Sequence, residues 1–202
     1  EYNDDVLAGL DYLMMELGKR NMTAVLYFNN AWEWSGGYTQ YVAWANNTPV
    51  LVPRVDGWFS YNTFAGEFVR NERAKQIFYD HVKFIVSRTN RYTGVKYIDD
   101  PAIFSWQISN EPRAFSSKEQ DNKEAFAEWI TASAKLIRSL DPNHMISTGS
   151  EGYYGCEWAM DLCEKIHAID EISYINCHVW PYNWKWMRGD AMREDLQKSC
   201  EN

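Results

Sequence analysis

Apolar positions along this chain switch repeatedly between two periods. Over residues 4–17, Val6, Leu7, Leu10, Leu13, Met14 and Leu17 recur every three or four positions, which predicts an amphipathic helix with Gly18 as its C-terminal cap. Residues 22–28 are then almost continuously apolar, the pattern of a parallel strand covered on both faces. The helical period returns over residues 71–91 through Ala74, Ile77, Phe78, Phe84 and Ile85, and puts His81 on the packing stripe. Residues 90–100 read as turn, and residues 102–109 as a second buried strand. Ser117 and Gln120 form a capping-box pattern that opens a third helix, whose apolar face includes Phe126, Trp129, Ile130 and Ile137 and which Asp141-Pro142-Asn143 stops after Leu140. A short strand at 144–148, a helix at 157–166, a fourth strand at 172–177 and a last helix from about Asp190 complete the order.

Helices alternating with strands predict an α/β fold with parallel strands and crossover helices. One interruption stands out. Residues 29–66 form a long excursion carrying Trp32, Trp34, Trp44 and Trp58, with a short helix expected only at 38–45; loops of such length are usually functional. Polar or aromatic residues follow every strand: Asn29, Asn30 and Trp32; Asn110, Glu111 and Arg113; Glu151; His178 and Trp180. Spreading such groups over all strand ends favours a (β/α)8 TIM barrel over a doubly wound sheet, which gathers them at one crevice. Four strands do not close a barrel, which typically takes about 250 residues. The expectation is therefore one partial barrel domain over residues 1–202, an internal piece of a larger barrel with no second domain, whose remaining strands come from the rest of the parent protein.

Composition narrows the partners. A net charge of −8 argues against nucleic acid or an anionic membrane surface and suits a neutral ligand. No apolar run reaches the roughly 18 residues of a membrane span, and no signal peptide is visible. Ten Trp and thirteen Tyr are enough for some rings to line a surface that something flat lies against. Cys156, Cys163, Cys177 and Cys200 include no CxxC and read as buried thiols or one disulfide; no metal ligand set and no cofactor is expected.

Glu111 is the candidate acid, because a carboxyl at the carboxyl end of a barrel strand is where catalytic groups sit. Asn110 could bond a sugar hydroxyl, and Arg113 either forms a buried ion pair with Glu111 or points outward to substrate. His178 could orient a carboxylate or pack as a core histidine. Glu151 is either a site residue or a turn carboxylate. The aromatic rings offer apolar faces for pyranose rings.

The stretch Asp100-Pro-Ala-Ile-Phe-Ser-Trp-Gln-Ile-Ser-Asn-Glu-Pro-Arg113 resembles the endo-β-1,4-mannanases of glycoside hydrolase family 5. So do Asn29-Asn-Ala-Trp-Glu-Trp-Ser-Gly-Gly37, Gln40-Tyr41, Gly149-Ser-Glu-Gly152 and His178-Val-Trp-Pro-Tyr-Asn-Trp184. The resemblance implies that this chain covers barrel strands three to six. It makes Glu111 the general acid/base of a retaining enzyme and Asn110 the partner of the sugar 2-hydroxyl. Arg113, Trp32, Trp34, Glu151, Trp180 and Trp184 become substrate contacts, with His178 supporting the hydrogen bonding. Many relatives carry Tyr where this chain has Trp180, and that hydroxyl contacts the nucleophile, so Trp180 is expected to serve only as cleft wall. The nucleophile belongs to strand seven, outside this chain, so the chain alone is expected to be inactive. The implied substrate is β-mannan polysaccharide or oligosaccharide, which points to an extracellular or periplasmic site. A cellulase of the same clan and a non-catalytic carbohydrate-binding barrel are the competing readings.

Overall fold

In the computed structural model, which describes residues 2–181, helix α1 (Asp4–Lys19) begins where the Asn3 side chain accepts the backbone N–H groups of Asp5 and Val6. Gly18 does not cap it. Gly18 stays helical, where a Cβ would lie 3.8 Å from Ala102, and Asn21 makes the turn at φ 54° while Met22 N–H bonds the Leu17 carbonyl at 3.0 Å. Asn tolerates the left-handed region, so it can take the role usually given to glycine.

Strand β1 (Ala24–Tyr27) pairs in parallel with a second strand, β2 (Ile103–Gln107), which pairs in parallel with a third, β3 (Met145–Ser147). The sheet order β1-β2-β3 follows the chain, as expected of an unrolled barrel sector. One expected strand is missing. Residues 172–177 run beside β3 but form no regular ladder. Ser173 N–H bonds the Ile146 carbonyl at 2.8 Å, yet the next contacts are made by side chains: Ser173 Oγ accepts from Ile146 N–H at 3.1 Å and Asn176 Oδ1 from Gly149 N–H at 3.1 Å. Side-chain acceptors occupy positions that strand carbonyls would fill, and the ladder stops.

The excursion after β1 is mostly helical rather than a loop. It contains α2 (Gly37–Asn46), α3 (Pro53–Asp56) and α4 (Trp58–Gly66). An aromatic core fastens it to two crossover helices, α5 (Glu72–Val86) and α6 (Lys123–Leu140). Tyr38 stacks on Phe68 with centroids 4.3 Å apart, and Trp129 meets Phe68 and Phe78 edge-on at 5.2 and 5.3 Å. Edge-to-face pairs of this kind each add about 0.5–1.5 kcal/mol beyond area burial. Trp44 and Trp58 are outside that core and half-exposed.

Element ends differ from expectation for identifiable reasons. The Ser117–Gln120 pattern makes a separate turn, with Ser117 Oγ accepting from Glu119 and Gln120 N–H. Helix α6 starts only after Asn122, whose amide is turned inward to the carbonyls of Gly66, Ala114 and Phe115. The last described helix, α7 (Met160–His167), is delayed because Glu157 and Trp158 both adopt positive φ. His81 is half-buried, stacks on Tyr2 and accepts or donates to its hydroxyl at 3.2 Å, in keeping with a packing role. Cys156 is buried, Cys163 partly so and Cys177 exposed, all three as free thiols. Cys200, Trp184 and the helix expected near Asp190 lie outside the described residues.

Helix α5 ends at Val86 because Arg88 turns in to meet Asp11 of α1, which is fully buried. Arg88 Nε and Nη2 donate to the two Asp11 oxygens at 2.8 and 2.6 Å, and Tyr97 hydroxyl and Arg91 N–H donate at 2.7 and 3.2 Å. Burial pushes the Asp11 carboxyl up, but the bonds from Arg88, Tyr97 and Arg91 outweigh it and hold it below the usual range. A depressed folded value stabilises above the unfolded one, about 3.9, and that contribution is lost as pH falls through the folded value. Stability measured by urea denaturation should therefore drop as pH is lowered below about 4. Asp11→Ala should cost about 3–5 kcal/mol at neutral pH by stranding Arg88, and should flatten that acid limb. An alanine variant of unchanged midpoint would refute this role.

Candidate active site

The residues following the strands meet above the carboxyl edge of the sheet. Asn110 N–H bonds the Asn29 carbonyl at 2.8 Å on one side, and Glu111 N–H bonds the Gly149 carbonyl at 3.0 Å on the other. Between these bonds Glu111 adopts φ 51°, a left-handed conformation that costs a residue with a Cβ on the order of 1–3 kcal/mol. Glycines permit the close approaches around it. A Cβ on Gly149, at φ +83°, would lie 1.7 Å from the Ser109 carbonyl oxygen. A Cβ on Gly37 would lie 2.3 Å from the carbonyl oxygen of Trp32.

The Glu111 carboxyl is 7% exposed and receives contacts from three side chains on two segments. Trp32 Nε1–H donates to Oε2 at 2.6 Å. His178 Nδ1 shares a hydrogen bond with Oε1 at 2.8 Å, and Trp180 Nε1–H donates to the same oxygen at 3.4 Å. Asn110 Nδ2 donates to Asn30 Oδ1 at 3.2 Å, which also accepts from Trp32 N–H at 3.1 Å. These groups line a cleft of about 430 Å³ together with Trp34, Trp58 and Glu151, within the roughly 300–1,000 Å³ range of small-ligand sites.

Arg113 does not pair with Glu111. Its Nε and Nη2 grip Glu151 Oε2 at 2.7 and 2.6 Å, and its guanidinium lies 5.0 Å from the centre of the Trp32 ring and 5.4 Å from that of Tyr154. Contact with two ring faces suits a planar, weakly hydrated cation. Burial pushes the Glu151 carboxyl up, the Arg113 charge pulls against that, and the Glu111 carboxylate adds to the upward push. Glu151 thus lines the cleft beside Glu111 and is paired with Arg113. Trp32 is boxed by Trp34, Trp58, Tyr61 and Phe115 at centroid distances of 6.0, 6.1, 6.5 and 5.5 Å, so it is a fixed wall. Trp34 is 67% exposed and forms the open lip.

Of the residues expected from sequence, Glu111, Asn110, His178, Trp32, Trp34, Glu151 and Trp180 line one cleft, and Arg113 stands behind Glu151. Trp58, Asn30 and Gly149 lie in stretches singled out from sequence but were given no site role of their own, and Tyr154 was not singled out at all. Trp58 could have been found from its place beside Gly57 in the aromatic-rich excursion; the others depend on contacts between distant segments. Among the described residues, no three His, Cys, Asp or Glu side chains are placed to hold a metal ion, and no helix is long and apolar enough to cross a membrane.

A family model described as GH family 5 beta-mannosidase-like matches residues 1–202. Mannan endo-1,4-beta-mannosidase 1 of Arabidopsis thaliana is 35% identical over 197 residues, 91% of this chain and 43% of that protein. Its namesake from Solanum lycopersicum is 30% identical over 205 residues, covering 94% of this chain and 47% of that one. Among solved structures, the glycoside hydrolase family 5 mannosidase of Rhizomucor miehei superposes with a TM-score of 0.82 at 30% identity, over 98% of this chain and 46% of its own. The endo-beta-1,4-mannanase of Thermotoga petrophila gives 0.70 at 25%, over 88% of this chain and 38% of its own. The chain spans less than half the length of each of these proteins.

The Gly149 approach yields a direct test. Gly149→Ala should lose about 1–3 kcal/mol by overpacking against Ser109, read as a lower denaturation midpoint. Ligand affinity should fall with it, because Glu111 hangs from the Gly149 carbonyl. Wild-type stability in that variant would contradict the geometry.

Proposed function

Because this chain belongs to the β-mannosidase-like group of glycoside hydrolase family 5, we propose that it carries the acid/base half of a retaining endo-β-1,4-mannanase. The supporting observation is the Glu111 carboxyl, buried at a strand end, held by three ring nitrogens and facing a tryptophan-lined cleft. In this reading Glu111 protonates the glycosidic oxygen as the sugar's C–O bond breaks, and later takes a proton from the water that hydrolyses the glycosyl-enzyme ester. The nucleophile is a carboxylate from barrel strands outside this chain, seated about 5–5.5 Å from Glu111. His178 fixes the acid's orientation. Asn110, held by Asn30, binds the sugar hydroxyl nearest the scissile bond, and Trp32 and Trp34 present ring faces to pyranose units. Arg113 and Glu151, locked together, add hydrogen-bonding capacity to the cleft wall, and Trp184 is a further aromatic substrate contact in this reading. The substrate is β-mannan, glucomannan or galactomannan, which places the protein where such polymers occur, outside the cell or in the periplasm.

A second reading rests on the Rhizomucor miehei mannosidase, which superposes with the higher TM-score: an exo-acting β-mannosidase with the same acid. The two differ in product. An endo enzyme lowers the viscosity of galactomannan before much mannose appears, whereas an exo enzyme releases mannose from the start. The clan alternative of cellulase predicts cleavage of β-1,4-glucan in place of mannan.

In the complete barrel, Glu111→Gln should reduce turnover of mannan by about 10²–10⁴-fold, the usual share of general acid–base catalysis. Residues 1–202 alone should show no turnover of mannan at all. Turnover by the isolated chain would mean that the second carboxylate lies within it.

A further inference from the structure

We infer that Trp180 is a positioning residue for Glu111, whose indole N–H determines which carboxylate oxygen handles the proton. This rests on the reading of Glu111 as acid/base. The ring itself is not core: Trp180 is 51% exposed, so its burial does not explain its orientation. Its Nε1–H points inward to Oε1 of Glu111, the oxygen that His178 Nδ1 also contacts. Among the described residues, Trp32 alone contacts Oε2.

A carboxylate oxygen offers about two lone-pair sites. With His178 and Trp180 both bonded to it, Oε1 is filled. With one donor, Oε2 keeps a free site, and that site belongs to the cleft wall that Trp32 forms. Proton exchange is thereby confined to Oε2. In the first half-reaction the Oε2 proton passes to the glycosidic oxygen as the sugar C–O bond breaks and the nucleophile's ester forms. In the second, Oε2 takes a proton from water as the water oxygen bonds the anomeric carbon and the ester bond breaks. Oε1 stays bonded to His178 and Trp180 throughout. Without the indole N–H, one site on Oε1 opens, the two oxygens become more alike, and the terminal torsion of Glu111, which is intrinsically broad and two-fold, is less restrained.

The test is Trp180→Phe in the full-length enzyme, which removes the N–H and keeps an aromatic wall at a half-exposed position. Two substrates separate the roles. A mannopentaose leaving group needs a proton; a 2,4-dinitrophenyl β-mannoside leaving group does not. We expect kcat on mannopentaose to fall about tenfold with KM within twofold, the rate equivalent of one hydrogen bond to a charged group. Bond cleavage of the dinitrophenyl glycoside should fall far less than turnover of mannopentaose. Glu111→Gln, assayed alongside, should show the same selectivity in exaggerated form. Equal losses on both substrates, or a KM rise at constant kcat, would make Trp180 a sugar-stacking wall and overturn the inference alone. Wild-type enzyme that cleaves neither substrate overturns the mannanase reading and this inference with it.

Discussion

Two backbone hydrogen bonds carry the geometry of this site: Asn110 N–H to the Asn29 carbonyl and Glu111 N–H to the Gly149 carbonyl. They lie just past the regular ladders and tie the end of β2 to the segments following both neighbouring strands. Consecutive amides are claimed from opposite sides, and Glu111 takes a left-handed conformation between them. Its side chain enters the cleft, Asn110 reaches back toward Asn30, and Arg113, two residues on, arrives at Glu151. A parallel sheet supplies this arrangement cheaply, because its strand ends all emerge on one side. The strain at Glu111 is tolerated because both adjoining segments hold the same two peptides.

The amino end of the sheet shows what the same residue types do without a cleft. Asp141 is fully buried and accepts from Trp106 Nε1–H at 2.7 Å and from His144 Nδ1 at 2.7 Å, while His144 Nε2 contacts the Asp100 carbonyl at 3.0 Å. Burial pushes Asp141 up, and the bonds from Trp106, His144 and the local backbone bring it below the usual range. Taken as a list of partners (indole, imidazole, carboxylate), this set matches the one around Glu111. It differs in its surroundings: the other bonds to Asp141 come from the Asn143 and His144 N–H groups and pin the turn before β3, whereas Glu111 lines a cleft. Acid, histidine and tryptophan together do not make a site; an open side does.

That contrast explains which parts of the structure were legible in the sequence. Strand cores and crossover helices follow from period and apolar runs, and the polar clusters after each run located the cleft at Glu111, Glu151 and His178. The excursion was not legible as helices, because α3 is a single four-residue turn and α4 carries aromatic residues all round without a clean stripe. Nor was the fate of residues 172–177, whose apolar alternation is strand-like but whose Ser173 and Asn176 side chains take over the pairing. The partner of Arg113 could not be read either. Sequence proximity suggested Glu111, but Pro112 and the positive φ of Glu111 send the chain toward β3 instead. The indole contacts at Glu111 bridge 79 and 69 residues, and no local pattern encodes a side-chain direction at that range.

One buried side chain has a bearing on how the sheet is completed. Asn29 is 6% exposed, and neither its amide nitrogen nor its oxygen has a hydrogen-bond partner among the described residues. It lies at the carboxyl end of β1, beside Tyr27 and Phe28, on the sheet's outer edge. A buried amide left unpaired costs about 1–3 kcal/mol. A neighbouring strand that brought a donor and an acceptor to that height would recover it, and one slipped by a residue would not.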